Sequence, residues 1–215
     1  MLAGLGYPGM LSPWLRATAA WTEAILLDLP GWCRQSAVTC APTVDAVAAA
    51  AAEWLQRAAL PPVVLVGHST GAQAALLTAL RIPEHLGGIV LTAPTVDPAA
   101  RSAFRLPTRF VRSVWREDPR ELPVIAGSVV AAGVRPVLTL IRSALADRPE
   151  RQISGLRVPA LIIAGQRDRV ASPPWCQHLA ELADAPWRLL PGGHNSCFPH
   201  ARLADAYVRQ AVARW

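Results

Sequence analysis

Residues 63–71 read VVLVGHSTG, a pattern that predicts a strand, a sharp turn and the start of a helix. Val63–Val66 is a short apolar block, as expected of a strand buried on both faces. The turn 67–71 (GHSTG) follows, and the helical pattern Ala72–Leu80 begins directly after it. The serine at the centre of such a strand–turn–helix unit adopts strained backbone angles, so its neighbours must be small. Glycines at positions 67 and 71 meet that requirement.

Four more apolar blocks bounded by turn residues predict further buried strands. They are Ala24–Leu27, Gly88–Leu91, Ala160–Ile163 and the weaker Trp187–Leu190. Helical patterns lie between and after the blocks, at Leu11–Trp21, Val44–Leu60, Ala72–Leu80, Trp175–Ala183 and Ala201–Trp215. Strands and helices that alternate at this spacing predict parallel βαβ units and an open α/β sheet. In such a sheet the functional residues lie at the carboxyl ends of the strands.

Residues 99–156 break the alternation, because they contain no strand block and several short helical patterns interrupted by prolines. We interpret them as a helical insertion over the strand ends rather than a separate domain. The segment holds ten arginines and five acidic residues, so it carries +5 of the net charge of +6.

The serine of the turn, Ser69, is a candidate nucleophile, since the following helix N-terminus favours negative charge beside it. A serine hydroxyl is a poor nucleophile until a base takes its proton. His194 is the candidate base, because it ends the turn 191–194 (PGGH) directly after the last strand block. His68 lies inside the serine turn, where we expect its side chain to point away. The other three histidines lie in helical patterns or at the start of the last one.

An aspartate placed between nucleophile and base in the chain would orient the imidazole. Asp168 fits this position, in the turn 165–168 (GQRD) that follows the block Ala160–Ile163. Asp97 follows the preceding strand block and is the alternative acid. We favour Asp168 as the orienting carboxylate.

The chain resembles the α/β-hydrolase family in three turns that follow one another in the sequence: 67–71 with the serine, 165–168 with the aspartate and 191–194 with the histidine. The resemblance covers nearly the whole chain. The turn 28–31 (DLPG) resembles a D-x-P-G strand end of that family, and residues 99–156 resemble its helical cap. The resemblance implies an α/β-hydrolase fold, a mostly parallel sheet flanked by helices. Its core would comprise residues 1–98 and 157–215, with the cap at 99–156.

The resemblance also implies a function, that of a serine hydrolase acting on an ester or thioester through an acyl-enzyme, without cofactor or metal. Ser69, His194 and Asp168 would form the catalytic triad. Backbone N–H groups of Thr70 and Leu5 would form the oxyanion hole. Perhydrolase, haloperoxidase-like and C–C bond hydrolase chemistry uses the same triad and stays open, as does a non-catalytic or impaired hydrolase-like protein.

The amino-terminal end departs from the family pattern. Only three residues precede Gly4, so the family's first two strands and most of the third have no counterpart. In the family, the third strand lies in the middle of the sheet, beside the strand that carries the serine. We expect either that Met1 is not the true start or that this is a truncated member. We also expect the chain to be less stable and less active than a version extended before Met1.

The amino-acid composition indicates which classes of binding partner to expect. All 21 basic residues are arginine, but they are spread out and match no nucleic-acid-binding motif, so we expect no nucleic-acid partner. The four cysteines form no CxxC pair, which favours reduced thiols in a cytoplasmic protein over a zinc site or disulfides. We see no signal peptide and no apolar run of membrane-spanning length. We expect a small-molecule acyl substrate, with an anionic one and a homodimer both left open.

Overall fold

The computed structural model describes residues 1–32, 37–101 and 132–215, together with positions 108, 123, 126, 127 and 130. Nearly half of the predicted cap, and Cys33 among the cysteines, therefore lie outside the described residues. The division into a core and a cap stays a prediction.

The described residues form six helices and four strands. The helices are α1 (Ser12–Thr18), α2 (Val44–Ala58), α3 (Thr70–Arg81), α4 (Val134–Ala146), α5 (Pro173–Leu182) and α6 (Ala201–Val212). The strands are β1 (Val63–His68), β2 (Leu86–Thr92), β3 (Ala160–Gly165) and β4 (Trp187–Leu190). Short 3-10 turns lie at Gly4–Gly6, Pro8–Leu11, Pro83–His85, Pro98–Ala100, Pro149–Arg151 and Ile153–Gly155.

The four strands form one parallel sheet in the order β1-β2-β3-β4. Alternate side chains enter two apolar cores, because successive residues of a strand point to opposite faces. Ile162 of β3 belongs to the core cluster that contains side chains of α2, α3, α4 and α5, whereas its neighbours Leu161 and Ile163 belong to the cluster that contains side chains of α1 and α6. The predicted parallel sheet flanked by helices is confirmed.

The helix α2 shows how local sequence sets an element's bounds. Thr43 precedes it, and its side chain accepts a hydrogen bond from Ala46 N–H at 3.2 Å, which caps the first turn. Its alanines allow a close approach to α3, where the Thr78 hydroxyl donates to Ala48 O at 3.2 Å. Ala59 takes a left-handed conformation and ends the helix, slightly before the predicted end at Leu60.

The predicted strand Ala24–Leu27 is wrong as a continuous strand, because only Leu27 makes a β-bridge. Leu2 lies between Leu27 and Gly67 and bridges both in parallel. Leu2 N–H donates to Val66 O at 2.7 Å, and Leu27 N–H donates to Met1 O at 3.0 Å. A strand needs a partner along its length, and in the part of the chain that the structure describes the backbone pairing of this segment is with Met1 and Leu2.

A cavity of about 420 Å³ lies in line with Met1, between residues 23–27 and β1. Its lining is mainly apolar and includes Trp14, Ile25 and Val64. Val66 O and His68 N–H face Leu2, so alternation along the strand turns the N–H and C=O of Val64 toward the cavity. The two segments therefore do not pair directly but keep an open slot of strand width between them.

We expect the stability of the 215-residue chain to rise between pH 5 and pH 8. Burial lowers the pKa of the Met1 amino group from 8.0 to about 5. The unfolded chain therefore binds more protons than the folded chain across this window, and unfolding becomes harder as the pH rises. Below pH 5 the folded state bears the full penalty, about 4 kcal/mol at ~1.4 kcal/mol per pH unit. Urea unfolding at several pH values would measure this slope.

Two valines added before Met1 should remove that slope and raise the melting temperature. The added residue next to Met1 would donate to Val64 O and accept from Val66 N–H, and the valine side chains would fill the cavity. Two serines added at the same place provide the matched control, because they move the charge but leave the cavity without apolar side chains. Equal melting temperatures for all three chains would contradict this account of the slot.

Candidate active site

The serine turn has the strained geometry that its sequence predicts. Ser69 adopts φ 57° and ψ −123°, between the end of β1 and the first residue of α3. Its N–H donates to Thr92 O at 2.9 Å, which ties the turn to β2. A Cβ at position 67 would come within 2.4 Å of Gly71 O, and one at position 71 within 2.4 Å of Leu2 O. The strand, the helix and the amino-terminal segment therefore meet where only glycine fits.

His194 joins the serine to an aspartate. Its Nε2 lies 2.9 Å from Ser69 Oγ, and its Nδ1 lies 2.8 Å from Asp168 Oδ2. The side chains of Asp168 and His194 are buried, with 0% and 3% of their surface exposed. A carboxylate accepts hydrogen bonds, so Nδ1 carries the proton and Nε2 is left to accept from the serine hydroxyl. The structure thus brings together three sequence-predicted residues in a continuous hydrogen-bonded line.

The loop after β3 holds Asp168 in one orientation. While Oδ2 faces His194, Oδ1 accepts from Val170 N–H at 2.7 Å and from Ala171 N–H at 3.0 Å. Arg167 N–H donates to Gly192 O at 2.8 Å, which joins this loop to the turn that carries the histidine. The aspartate is therefore oriented by backbone groups before any substrate is present.

Asp97, the alternative acid, is occupied elsewhere. Its Oδ1 accepts from Ala99 N–H at 2.8 Å, and its Oδ2 accepts from the Ser172 hydroxyl. Its own N–H donates to Val170 O at 3.1 Å. Asp97 thus caps the turn that begins at Pro98 and braces the loop that carries Asp168.

His68 also contributes to the site, which the sequence reasoning missed. Its Nε2 donates to the backbone carbonyl of His194 at 3.2 Å, and the two rings lie 5.4 Å apart. His68 therefore helps to hold the turn that carries the candidate base. The sequence offered one signal for such a role, namely that His68 is the last residue of β1 and directly precedes Ser69. Its partner, the His194 carbonyl, lies 126 residues later in the chain, and no pattern of neighbouring residues indicates a contact over that separation.

The two backbone groups predicted for the oxyanion hole lie on adjoining elements. Thr70 is the first residue of α3, so its N–H has no acceptor within the helix. Leu5 lies in the turn Gly4–Gly6 with φ 48° and ψ 25°. In this structure Leu5 N–H donates to the Thr70 hydroxyl oxygen at 2.8 Å.

Polar contacts join α3 to the later part of the predicted cap and join the two ends of the cap to each other. Gln73 of α3 donates to Ala144 O at 3.0 Å and to Asp147 Oδ2 at 2.8 Å. Arg101 holds both carboxylate oxygens of Glu150, at 2.7 and 3.0 Å. Partial burial disfavours the charge on Glu150, but the hydrogen bonds and charge of Arg101 outweigh it and lower the pKa of that carboxyl.

The parallel sheet, the strained serine and the histidine at a neighbouring strand end are the features of a hydrolase of the α/β class. Residues 1–210 match the sequence model of the Alpha/beta hydrolase family, and the chain belongs to that family.

Two curated relatives illustrate the likeness. The chain is 29% identical to a pimeloyl-[acyl-carrier protein] methyl ester esterase of Stenotrophomonas maltophilia over 236 aligned positions, which cover 95% of this chain and 88% of that protein. It is also 29% identical to human monoglyceride lipase over 140 residues, or 57% of this chain. The chain matches only 46% of the length of that lipase. Together with the family match, these relatives identify the chain as a hydrolase with esterase-like relatives.

Solved structures share the fold at low sequence identity. An esterase from Thermogutta terrifontis superimposes with a TM-score of 0.80 at 20% identity, over 99% of this chain and 88% of that one. A hydrolase from Pseudomonas aeruginosa gives 0.79 at 19% identity, over 98% and 88%. None of the helices in the described ranges is long and apolar enough to cross a membrane.

Proposed function

We propose that this chain is a serine esterase that forms an acyl-enzyme at Ser69. The observation that carries the proposal is the hydrogen-bonded line from Ser69 through His194 to Asp168, with contacts of 2.9 and 2.8 Å. The strained backbone of Ser69 places its hydroxyl at this line, next to the N-terminus of α3.

The geometry supports the following steps. Ser69 Oγ bonds to the ester carbonyl carbon while its proton passes to Nε2 of His194. Asp168 stays ionised and stabilises the imidazolium through Nδ1. The tetrahedral intermediate collapses, the C–O bond to the alcohol breaks, and His194 returns the proton to the leaving oxygen. Water then attacks the acyl-enzyme by the same route and releases the acid.

For the substrate we propose a carboxylic ester rather than a thioester. The named relatives support this choice, since one is a methyl ester esterase and another a monoglyceride lipase. A panel of methyl and glycerol esters of varied acyl length, tested beside the matching thioesters, would decide it. Faster turnover of the thioesters would change the proposed substrate class, while peroxide-dependent oxidation without ester hydrolysis would favour the perhydrolase alternative.

Labelling with a fluorophosphonate probe tests the mechanism directly. We expect covalent attachment at Ser69, found by mass spectrometry of the digested protein, because the probe reacts only with an activated serine. A wild-type chain that is folded but unlabelled would reject the proposal in favour of a non-catalytic hydrolase-like protein.

We expect the net charge of +5 in residues 99–156 to favour anionic esters over matched neutral ones. A positive surface steers anionic substrates and can raise their association rate by about tenfold or more. The measurement is kcat/KM for an ester with a free carboxylate and for its amide counterpart, over a range of salt concentrations. The anionic ester should lose its advantage as salt screens the charges. Equal and salt-independent values would show that these arginines are solvated or cover apolar helices.

A further inference from the structure

The Thr70 hydroxyl occupies a position that the proposed function leaves unexplained. Its oxygen accepts the Leu5 N–H at 2.8 Å, although this N–H is one of the two groups predicted to bind the oxyanion. Thr70 directly follows Ser69 and is buried, with 7% of its surface exposed. The hydroxyl therefore joins the amino-terminal turn to the first residue of α3, the residue that follows the candidate nucleophile in the chain.

We propose that the Thr70 hydroxyl is itself a catalytic donor, which accepts from Leu5 N–H and donates its own proton to the developing oxyanion. This inference rests on the proposed esterase function. It makes Thr70 a two-point donor through its N–H and its O–H, while Leu5 acts through the hydroxyl rather than directly.

The hydrogen bonds around the hydroxyl support this direction. A hydroxyl can accept and donate at once, and Leu5 already occupies one lone pair of the oxygen. In a helix a threonine often donates back to the carbonyl four residues earlier, as Thr78 does to Ala74 O at 2.8 Å. Thr70 has no such helical carbonyl, because it is the first residue of α3 and the residue four positions earlier, Val66, lies in β1. Among the described residues, no acceptor for the Thr70 proton is present.

The donors act as the charge develops. When Ser69 Oγ bonds to the carbonyl carbon, the π electron pair moves onto the carbonyl oxygen and makes it an alkoxide. The N–H and O–H of Thr70 then donate to this oxygen, and the Leu5 N–H polarises the hydroxyl and strengthens its bond. Thr70 and Leu5 keep their protons in this step, while the proton of Ser69 passes to His194 Nε2, and the hydrogen bonds to the oxygen weaken again when the carbonyl reforms.

The test compares Thr70→Val, Thr70→Ser and the control Thr78→Val. We expect Thr70→Val to lower kcat by about 10²-fold, the effect of losing one oxyanion donor, with little change in KM. Its affinity for a trifluoromethyl ketone, which forms an alkoxide on Ser69, should fall by the same factor. Thr70→Ser keeps a hydroxyl and should recover most of the loss. Thr78→Val removes a buried hydroxyl from the same helix and should keep kcat.

Three outcomes would overturn the inference. Unchanged kcat and ketone affinity in Thr70→Val would show that the hydroxyl has no catalytic part. Faster turnover would show that the hydroxyl blocks Leu5 N–H, which would then be the direct donor. A loss that Thr70→Ser does not recover would indicate packing alone. If Thr70→Val does not fold, Thr70→Ala gives the same readouts.

Fluorophosphonate labelling of the wild-type chain separates this inference from the proposed function. A wild type that is labelled at Ser69 while Thr70→Val behaves like it rejects only the role of the hydroxyl. A wild type that is not labelled rejects the esterase function itself.

Discussion

Ser69→Ala should abolish ester hydrolysis while leaving the fold intact. The change removes one oxygen atom, and with it the proposed nucleophile and the partner of His194 Nε2 at 2.9 Å. Loss of a triad serine lowers kcat by on the order of 10⁴- to 10⁶-fold. Alanine meets the same backbone strain at φ 57°, so the melting temperature should change little. Initial rates and thermal melting of the purified variant would measure both effects.

Ser154→Ala is the matched control, because it makes the same chemical change at an exposed position in the turn Ile153–Gly155. It should keep both turnover and probe labelling. A folded Ser69→Ala protein with more than about a tenth of wild-type turnover would show that another group is the nucleophile, since a triad serine contributes far more.

Asp168→Asn should lower kcat by about 10⁴-fold, the loss seen when the triad acid of a serine protease becomes an amide. The amide keeps the shape of the side chain. Its NH₂ group, however, cannot accept a hydrogen bond from the N–H at His194 Nδ1, as a carboxylate oxygen does. The imidazole then favours the tautomer that protonates Nε2, which cannot take the proton of Ser69. Steady-state rates for Asp168→Asn and Asp97→Asn, measured side by side, provide the check.

Asp97→Asn should have a much smaller effect on turnover. Its carboxylate oxygens bind Ala99 N–H and the Ser172 hydroxyl, so the change weakens the support of the neighbouring loop. A modest fall in melting temperature is the expected result. If Asp97→Asn lost more activity than Asp168→Asn, the two assignments would be exchanged.

The sequence predicted those parts of the fold whose signals are local. The block Ala160–Ile163 became β3 with only two more residues, because Pro159 precedes it and a turn follows. The turn 67–71 was equally clear, since steric conflict between strand and helix admits only glycine at its two ends. The candidate site residues followed from their positions at strand ends, and the structure brings Ser69, His194 and Asp168 into contact.

The parts that sequence reasoning missed depend on distant partners. Ala24–Leu27 has the composition of a strand, but the ladder forms only where Met1 and Leu2 lie beside it. The contact of Leu5 with Thr70 joins residues 65 positions apart, and no pattern of neighbouring residues encodes it. The sequence also did not predict the preferred substrate, because the segment 99–156, which we interpret as the cap, carries no recognisable motif.

The ion pair between Arg101 and Glu150 has an evolutionary consequence. The two residues are 49 positions apart in the chain yet in direct contact, so the residues between them leave and return at nearly one point. The entropy of closing a loop grows only slowly with its length, so insertions and deletions in this segment cost little stability where they leave α4 and its buried side chains in place. Ser69, His194 and Asp168 all lie outside this loop. Descendants of a common ancestor can therefore differ in the length of the part that precedes α4 while they inherit the candidate site residues unchanged.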